Sequence, residues 1–186
     1  MSSFVVVLDA CVLFPMALRD TLLRAASAGL YRMQWTNEIL EEVRRNLISD
    51  RGVPEKKARQ LIDTMYKHFP EALITEHKSL ISAMSNNPKD RHVLAAAVAC
   101  RAQVIVTQNL RHFPQEALAA FEVEAQTPDE FLTYLFQLAP AHMIEIIKEQ
   151  AEDLRNPPWT VSDVLDILSK VAPKFAILVK QGLVSE

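Results

Sequence analysis

Apolar residues follow two rhythms along this chain. Short continuous runs rich in β-branched residues read as buried strands: residues 3–8, ending in "FVVVL", and residues 104–107, "VIVT". Two weaker runs, "YRMQW" at 31–35 and "FEVEA" at 121–125, read the same way. Between them apolar residues recur at three- and four-residue spacing, which predicts helices over 15–28, 37–48, 54–68, 88–101 and 128–137. Strands alternating with helices predict an α/β fold, a mostly parallel sheet covered on both faces. Ligands of such sheets bind beyond the carboxyl ends of the strands.

From Pro140 onward the strand rhythm stops. Two or three helices are expected there, with Thr160 or Ser162 as an N-cap after Pro157-Pro158. The chain is therefore divided into an α/β domain, 1–138, and an α-helical C-terminal extension, 139–186. Neither internal repeats nor low-complexity segments interrupt it.

Composition narrows the function classes. Apolar residues make up 49% and charged residues 23%, which suits a packed globular chain rather than a disordered one. Three glycines in 186 residues fit a helix-rich fold with few strained turns. No apolar run approaches the roughly 20 residues that span a bilayer, and no basic segment precedes the first apolar run, so neither membrane insertion nor a signal peptide is expected. Cys11 and Cys100 lack the spacing of a zinc site and fit thiols in a reducing cytoplasm. The formal net charge of −3 means that any nucleic-acid contact must be local. Residues 19–59 offer such a patch, with nine Lys/Arg against six acids.

Four polar residues stand where the pattern predicts apolar or edge positions. Asp9 ends the first strand and Asn109 follows the second. In the helix at 37–48, Ile39, Leu40, Val43 and Leu47 form the apolar stripe; Glu38 and Glu41 fall opposite it, and Glu42 at its border, about 115° from the centre at 100° per residue. Asp90 lies four residues before Leu94, on the core side of the helix that Asn87 caps and Pro88 opens. A carboxylate on such a face is costly unless paired, hydrogen-bonded or bound to metal. Converging carboxylates repel, and a fold that gathers them usually neutralises them with a cation. Oxygen-only ligands favour Mg²⁺, with Mn²⁺ an alternative. Such an ion orients a phosphodiester and activates water.

The order of these motifs resembles the PIN domain, and within it the VapC-type toxins of bacterial toxin–antitoxin modules. The resemblance rests on "VVLDACVLFP" with Asp9, "WTNEILEEVRRNL" with Glu42, "NPKDRHVLAAA" with Asp90 and "VIVTQNLRHFP" with Asn109, and it covers residues 4 to about 135. It implies a three-layer α/β/α sandwich and a cytoplasmic, Mg²⁺-dependent endoribonuclease. Asp9, Glu42 and Asp90 would hold the metal; Asn109 would be a weaker ligand or position the attacking water. Arg19 and Thr107 would contact the substrate. The resemblance also implies an RNA substrate, a cognate antitoxin protein and a homodimer, with the helices at 37–68 packing in the dimer or receiving the antitoxin.

Two departures stand out. Many family members carry Thr or Ser and then Asn after the first Asp, where this chain has Ala10 and Cys11. The family's fourth acid is here Asn109, which removes one charge and weakens the case for a second metal. The main rival is therefore a non-catalytic RNA-binding scaffold of the same fold. A haloacid-dehalogenase-type phosphatase would need a second Asp two residues after the first, where Cys11 stands.

Overall fold

The computed structural model describes residues 4–155 and 157–184. Five strands form one sheet: β1 (Val5–Leu8), β2 (Arg32–Thr36), β3 (Leu73–Ile74), β4 (Val104–Val106) and β5 (Glu124–Gln126), in the order β3-β2-β1-β4-β5. Every pairing is parallel, with Val6 opposite Met33 on one side and Val104 on the other. All five carboxyl ends therefore share one edge. β1 is central because Val6, Val7 and Leu8 have no exposed surface, which only a strand covered on both faces allows.

Helices cover the faces: α1 (Ala10–Leu13), α2 (Met16–Ser27), α3 (Asn37–Ser49), α4 (Glu55–His68), α5 (Arg91–Cys100), α6 (Gln115–Leu118) and α7 (Pro128–Leu138). The expected three-layer α/β/α arrangement is observed. Local differences have local causes. Ser3, the first residue of the expected strand, lies outside the described residues. The expected helix 88–101 is split: Pro88–Asp90 form a 3-10 turn before α5, and Arg101 closes α5 in the left-handed region at φ 55°. The strand expected at 121–125 starts later, because Ala119–Phe121 form a 3-10 turn and Glu122 turns the chain at φ 55°. β3, α1 and α6 are too short for a sequence rhythm to reveal.

Three helices complete the described chain: α8 (Pro140–Asp153), α9 (Val161–Leu168) and α10 (Pro173–Val184). Thr160, not Ser162, caps α9, in a reciprocal box with Asp163. The helices do not stand apart. α8 and α9 pack on α2, and α10 on α7. Val164, Leu165 and Leu168 are fully buried, as the spacing of α9 predicts. A polar tie crosses the joint: the Gln150 amide accepts from the Thr21 hydroxyl at 2.8 Å and donates to the Ala17 carbonyl at 3.0 Å.

Candidate active site

Asp9 leaves the end of β1 and caps α1. Its backbone N–H donates to the Val106 carbonyl, which ties the tips of the two central strands together. Its side chain is nearly closed to solvent, at 4% exposure for the residue. One carboxylate oxygen accepts from the Ala10 N–H at 2.7 Å; the other accepts from the Thr107 hydroxyl at 2.7 Å and the Cys11 thiol at 3.1 Å. A carboxylate has about four acceptor directions, so three donors leave room for one further ligand. Burial raises the Asp9 pKa above its ordinary value, and the nearby Asp90 charge raises it further, against the hydrogen bonds that lower it.

Cys11 takes a clear part in this arrangement. Its sulfur donates to Asp9, accepts from the Gln108 N–H at 3.2 Å and touches the Thr107 hydroxyl at 3.4 Å. Burial, then the Asp9 charge, pushes the thiol up to about 12, so it remains a neutral donor. The departure at Cys11 thus preserves a hydrogen bond to the acid. Thr107 corrects an expectation: it is fully buried and holds Asp9 and the Asn109 N–H, so it orients the acid and cannot touch a substrate directly.

Asp90 ends the 3-10 turn before α5 rather than lying on the helix face where the pattern placed it. Its carboxylate is 15% exposed and meets His112 Nδ1 at 2.6 Å. Asn109 opens the 3-10 turn Leu110–His112, and its carbonyl accepts from the His112 N–H at 2.8 Å. The main chain of Asn109 thereby places the ring that engages Asp90.

Glu42 is half-buried on α3 and faces His92 Nε2 at 3.4 Å and Arg45 at 3.8 Å. The His92 contact is an ion pair without hydrogen-bond geometry, since both ring nitrogens lack a hydrogen-bond partner. Burial lowers the His92 pKa, but Glu42, Asp9 and Glu38 together outweigh it and raise it, so this ring carries a proton more readily than free imidazole. Glu41 points to solvent and binds Arg44 at 2.6 Å, as the helical wheel predicts. Glu38 does not follow the wheel. It turns toward fully buried His77 at 3.2 Å, and although burial raises its pKa, its own N–H, His77, Lys78 and His92 hold it below the ordinary value. Glu38, His77, His92 and His112 are the residues sequence reasoning missed; the i, i+4 relation of Glu38 to Glu42 was the available signal.

Asp9, Glu42 and Asp90 are not gathered as one ligand set. Among the described residues, no three His, Cys, Asp or Glu side chains are placed to hold a metal ion together. The Asp90 charge acts on Asp9, and Glu42 and Asp9 both act on His92. Arg19 lies apart in role: it is 9% exposed, and its guanidinium donates to the Leu13 carbonyl at 2.8 Å and the Phe14 carbonyl at 3.1 Å, closing the end of α1. These two carbonyls are the partners of the guanidinium that was expected to contact a phosphate.

The carboxyl edge of the parallel sheet thus carries buried Asp9, with Asp90 acting on it and Asn109 following the neighbouring strand. The PIN domain family model matches residues 5–111, more than half the chain, and the chain belongs to that family. A second model, the VapC50 C-terminal domain, matches residues 128–181, beginning at α7. The chain is 44% identical over 100 residues to the curated "Putative ribonuclease VapC50" of Mycobacterium tuberculosis (strain ATCC 25618 / H37Rv). That match covers 54% of this chain and 59% of the relative, less than two thirds of its length. No solved structure matches the chain.

Proposed function

We propose that the protein is a divalent-metal-dependent endoribonuclease of the VapC type, acting as the toxin of a toxin–antitoxin pair. The observation that carries the reading is buried Asp9, with Asp90 as its electrostatic neighbour, at the carboxyl edge of the central strands. Its carboxylate is oriented by three donors, and burial, with the Asp90 charge adding to it, raises its pKa. The family membership and the name of the relative point the same way.

The donor set fits Mg²⁺, which commonly takes one or two protein carboxylates and completes its shell with water and substrate phosphate. Asp9 and Asp90 would hold it; Glu42 would act from the second rank, through His92. Bound there, the ion would supply charge neutralisation at the phosphodiester and a more acidic water. The chain's own groups do the rest. Thr107, Cys11 and the Ala10 N–H fix the Asp9 carboxylate, and His112 fixes Asp90. Asn109 sets the position of His112 through its main chain, and its amide would be a weaker ligand or position the attacking water. With one acid fewer than the four-acid pattern, one ion is expected before RNA binds.

The remaining assignments follow from the family. The substrate is RNA, the regulator a cognate antitoxin protein, the oligomer a homodimer and the compartment the cytoplasm, with α3 and α4 as contact helices. The division at residue 138 is proposed as the end of the nuclease domain. Among the described residues no helix is long and apolar enough to cross a membrane.

The test is incubation of the purified protein with total RNA in Mg²⁺ or in EDTA, followed by sequencing of new RNA ends. Discrete new ends in Mg²⁺ alone support the reading. RNA binding with no new ends in either condition would replace it with the scaffold.

A further inference from the structure

Away from the acids, α2, the α3–α4 corner and α9 enclose a cavity of ≈ 570 Å³. Its wall is apolar, with Phe14, Leu61, Trp159 and Ile167 among the lining, and Met16 and Ile167 leave large exposed apolar surfaces there. The charged groups in the lining are all cations: Arg19, Arg51, Lys57 and Lys170. Among the described residues none of the four forms an ion pair, whereas Arg24, Arg44 and Arg59 on α2, α3 and α4 are each matched with carboxylates. Asp20, the acid whose charge reaches Arg19, is hydrogen-bonded to Arg24 instead. Arg51 sits over the Phe14 ring at 5.6 Å. Arg19 is answered by the Leu13 and Phe14 carbonyls, which leaves Arg51, Lys57 and Lys170 as the cations of the lining open to an anion.

We propose that this cavity binds a single-chain amphiphile with an anionic head, a long-chain carboxylate. The volume lies within the range of small-molecule pockets, and its position between the sheet domain and the helical extension is a common one for such sites. The apolar wall takes the chain, and Arg51, Lys57 and Lys170 take the head. The basic excess of residues 19–59 is thereby explained in part: Arg19, Arg51 and Lys57 converge on this cavity rather than on the acids.

The site stands independently of the RNA-cleavage reading, and its test uses no cleavage assay. Tetradecanoate, kept below its micelle concentration, is titrated into the full chain. Trp159 emission reports occupancy, since the other tryptophan, Trp35, is sealed in the core. Native mass spectrometry gives the stoichiometry. The expected result is one saturable site, with tetradecanol binding about tenfold more weakly, as loss of contacts to a charged head requires. The triple variant Arg51→Gln, Lys57→Gln, Lys170→Gln should lose about the same factor for the carboxylate and nothing for the alcohol. Ile167→Glu, on the exposed side of α9, should abolish binding, with unchanged circular dichroism showing that the fold holds. Absence of saturation, equal affinity for carboxylate and alcohol, or an unaffected triple variant would overturn the proposal. Occupation by an acidic, apolar polypeptide segment that excludes all tetradecanoate binding would overturn it in favour of a protein partner.

Discussion

Two buried polar clusters in this molecule do opposite things. At the joint between α2 and α8, Thr21, Gln150 and the Ala17 carbonyl are neutral and mutually satisfied. At the end of β1, Asp9 is held by three donors, yet its pKa is still raised by burial and by Asp90. The first cluster uses polarity to fix how two parts of the chain meet. The second buries a carboxylate at a cost that its hydrogen bonds offset only in part, and perturbed groups of that kind cluster at working sites.

The largest expected effect lies in the second cluster. Asp9→Asn and Asp90→Asn should each lower metal-dependent RNA cleavage by about 10²–10³, as loss of one precisely oriented electrostatic group does. Glu41→Gln, a change at a solvent-facing carboxylate, should leave cleavage intact. Rate assays on folded variants decide the matter; equal losses at Glu41 and Asp9 would erase the contrast.

The joint should show the reverse pattern. Gln150→Leu removes the amide's hydrogen bonds to the Ala17 carbonyl and the Thr21 hydroxyl, which still bond each other, at a cost of about 1 kcal/mol for each bond lost. Denaturant unfolding should register that loss while cleavage per folded molecule stays unchanged. A parallel fall in activity would mean that the extension shapes the site directly.

The positioning residue Thr107 should fall between these extremes. Thr107→Val removes one hydrogen bond to Asp9 and one acceptor for the Asn109 N–H. A loss of about 1 kcal/mol is expected for each neutral hydrogen bond. If Thr107 acts only through Asp9, the variant should weaken metal dependence and cleavage together, with substrate affinity held constant.

Much of the fold was readable because its strands and helices are long enough to carry a rhythm. The valines of β1 and the stripe Ile39, Leu40, Val43 and Leu47 announce burial without any tertiary knowledge. β3 does not, since Leu73–Ile74 becomes a strand only by pairing with Trp35 and Thr36. The site was readable as a set of acids but not as a set of contacts. His112 lies 22 residues after Asp90, and nothing in the local pattern joins them. Glu38 was placed toward solvent by the helical wheel, which cannot know that His77 covers that side of α3. Arg19 followed the same logic: its sequence position suggested a phosphate contact, while its partners are the carbonyls at the end of α1.

The smallest expected effect is on pH dependence without metal. Asp9 and His92 both have raised pKa values in the folded state, Asp9 from 3.8 and His92 from 6.5. Each therefore binds its proton more tightly folded than unfolded, and each contributes stability at low pH that is lost as pH rises through its folded value. Thermal midpoints in EDTA should fall as pH rises above about 6.5 through the His92 window, and His92→Gln should flatten that fall. A shift of 1 kcal/mol corresponds to roughly 2–4 °C in a chain of this size. The neutral joint predicts no such slope for Gln150→Leu beyond that of the parent.

The central claim is that Asp9 takes part in binding a divalent cation. Thermal unfolding with increasing Mg²⁺, run in parallel with Mn²⁺, on the parent and on Asp9→Asn tests it most directly. The parent should gain about 1.4 kcal/mol at a tenfold excess of ion over Kd, by mass action on the folded state alone. Asp9→Asn should match or exceed the parent in stability without metal, because the cost of a buried charge and its repulsion with Asp90 are gone, and should show little response to either ion. A parent that does not respond, or a variant that responds equally, would contradict the account.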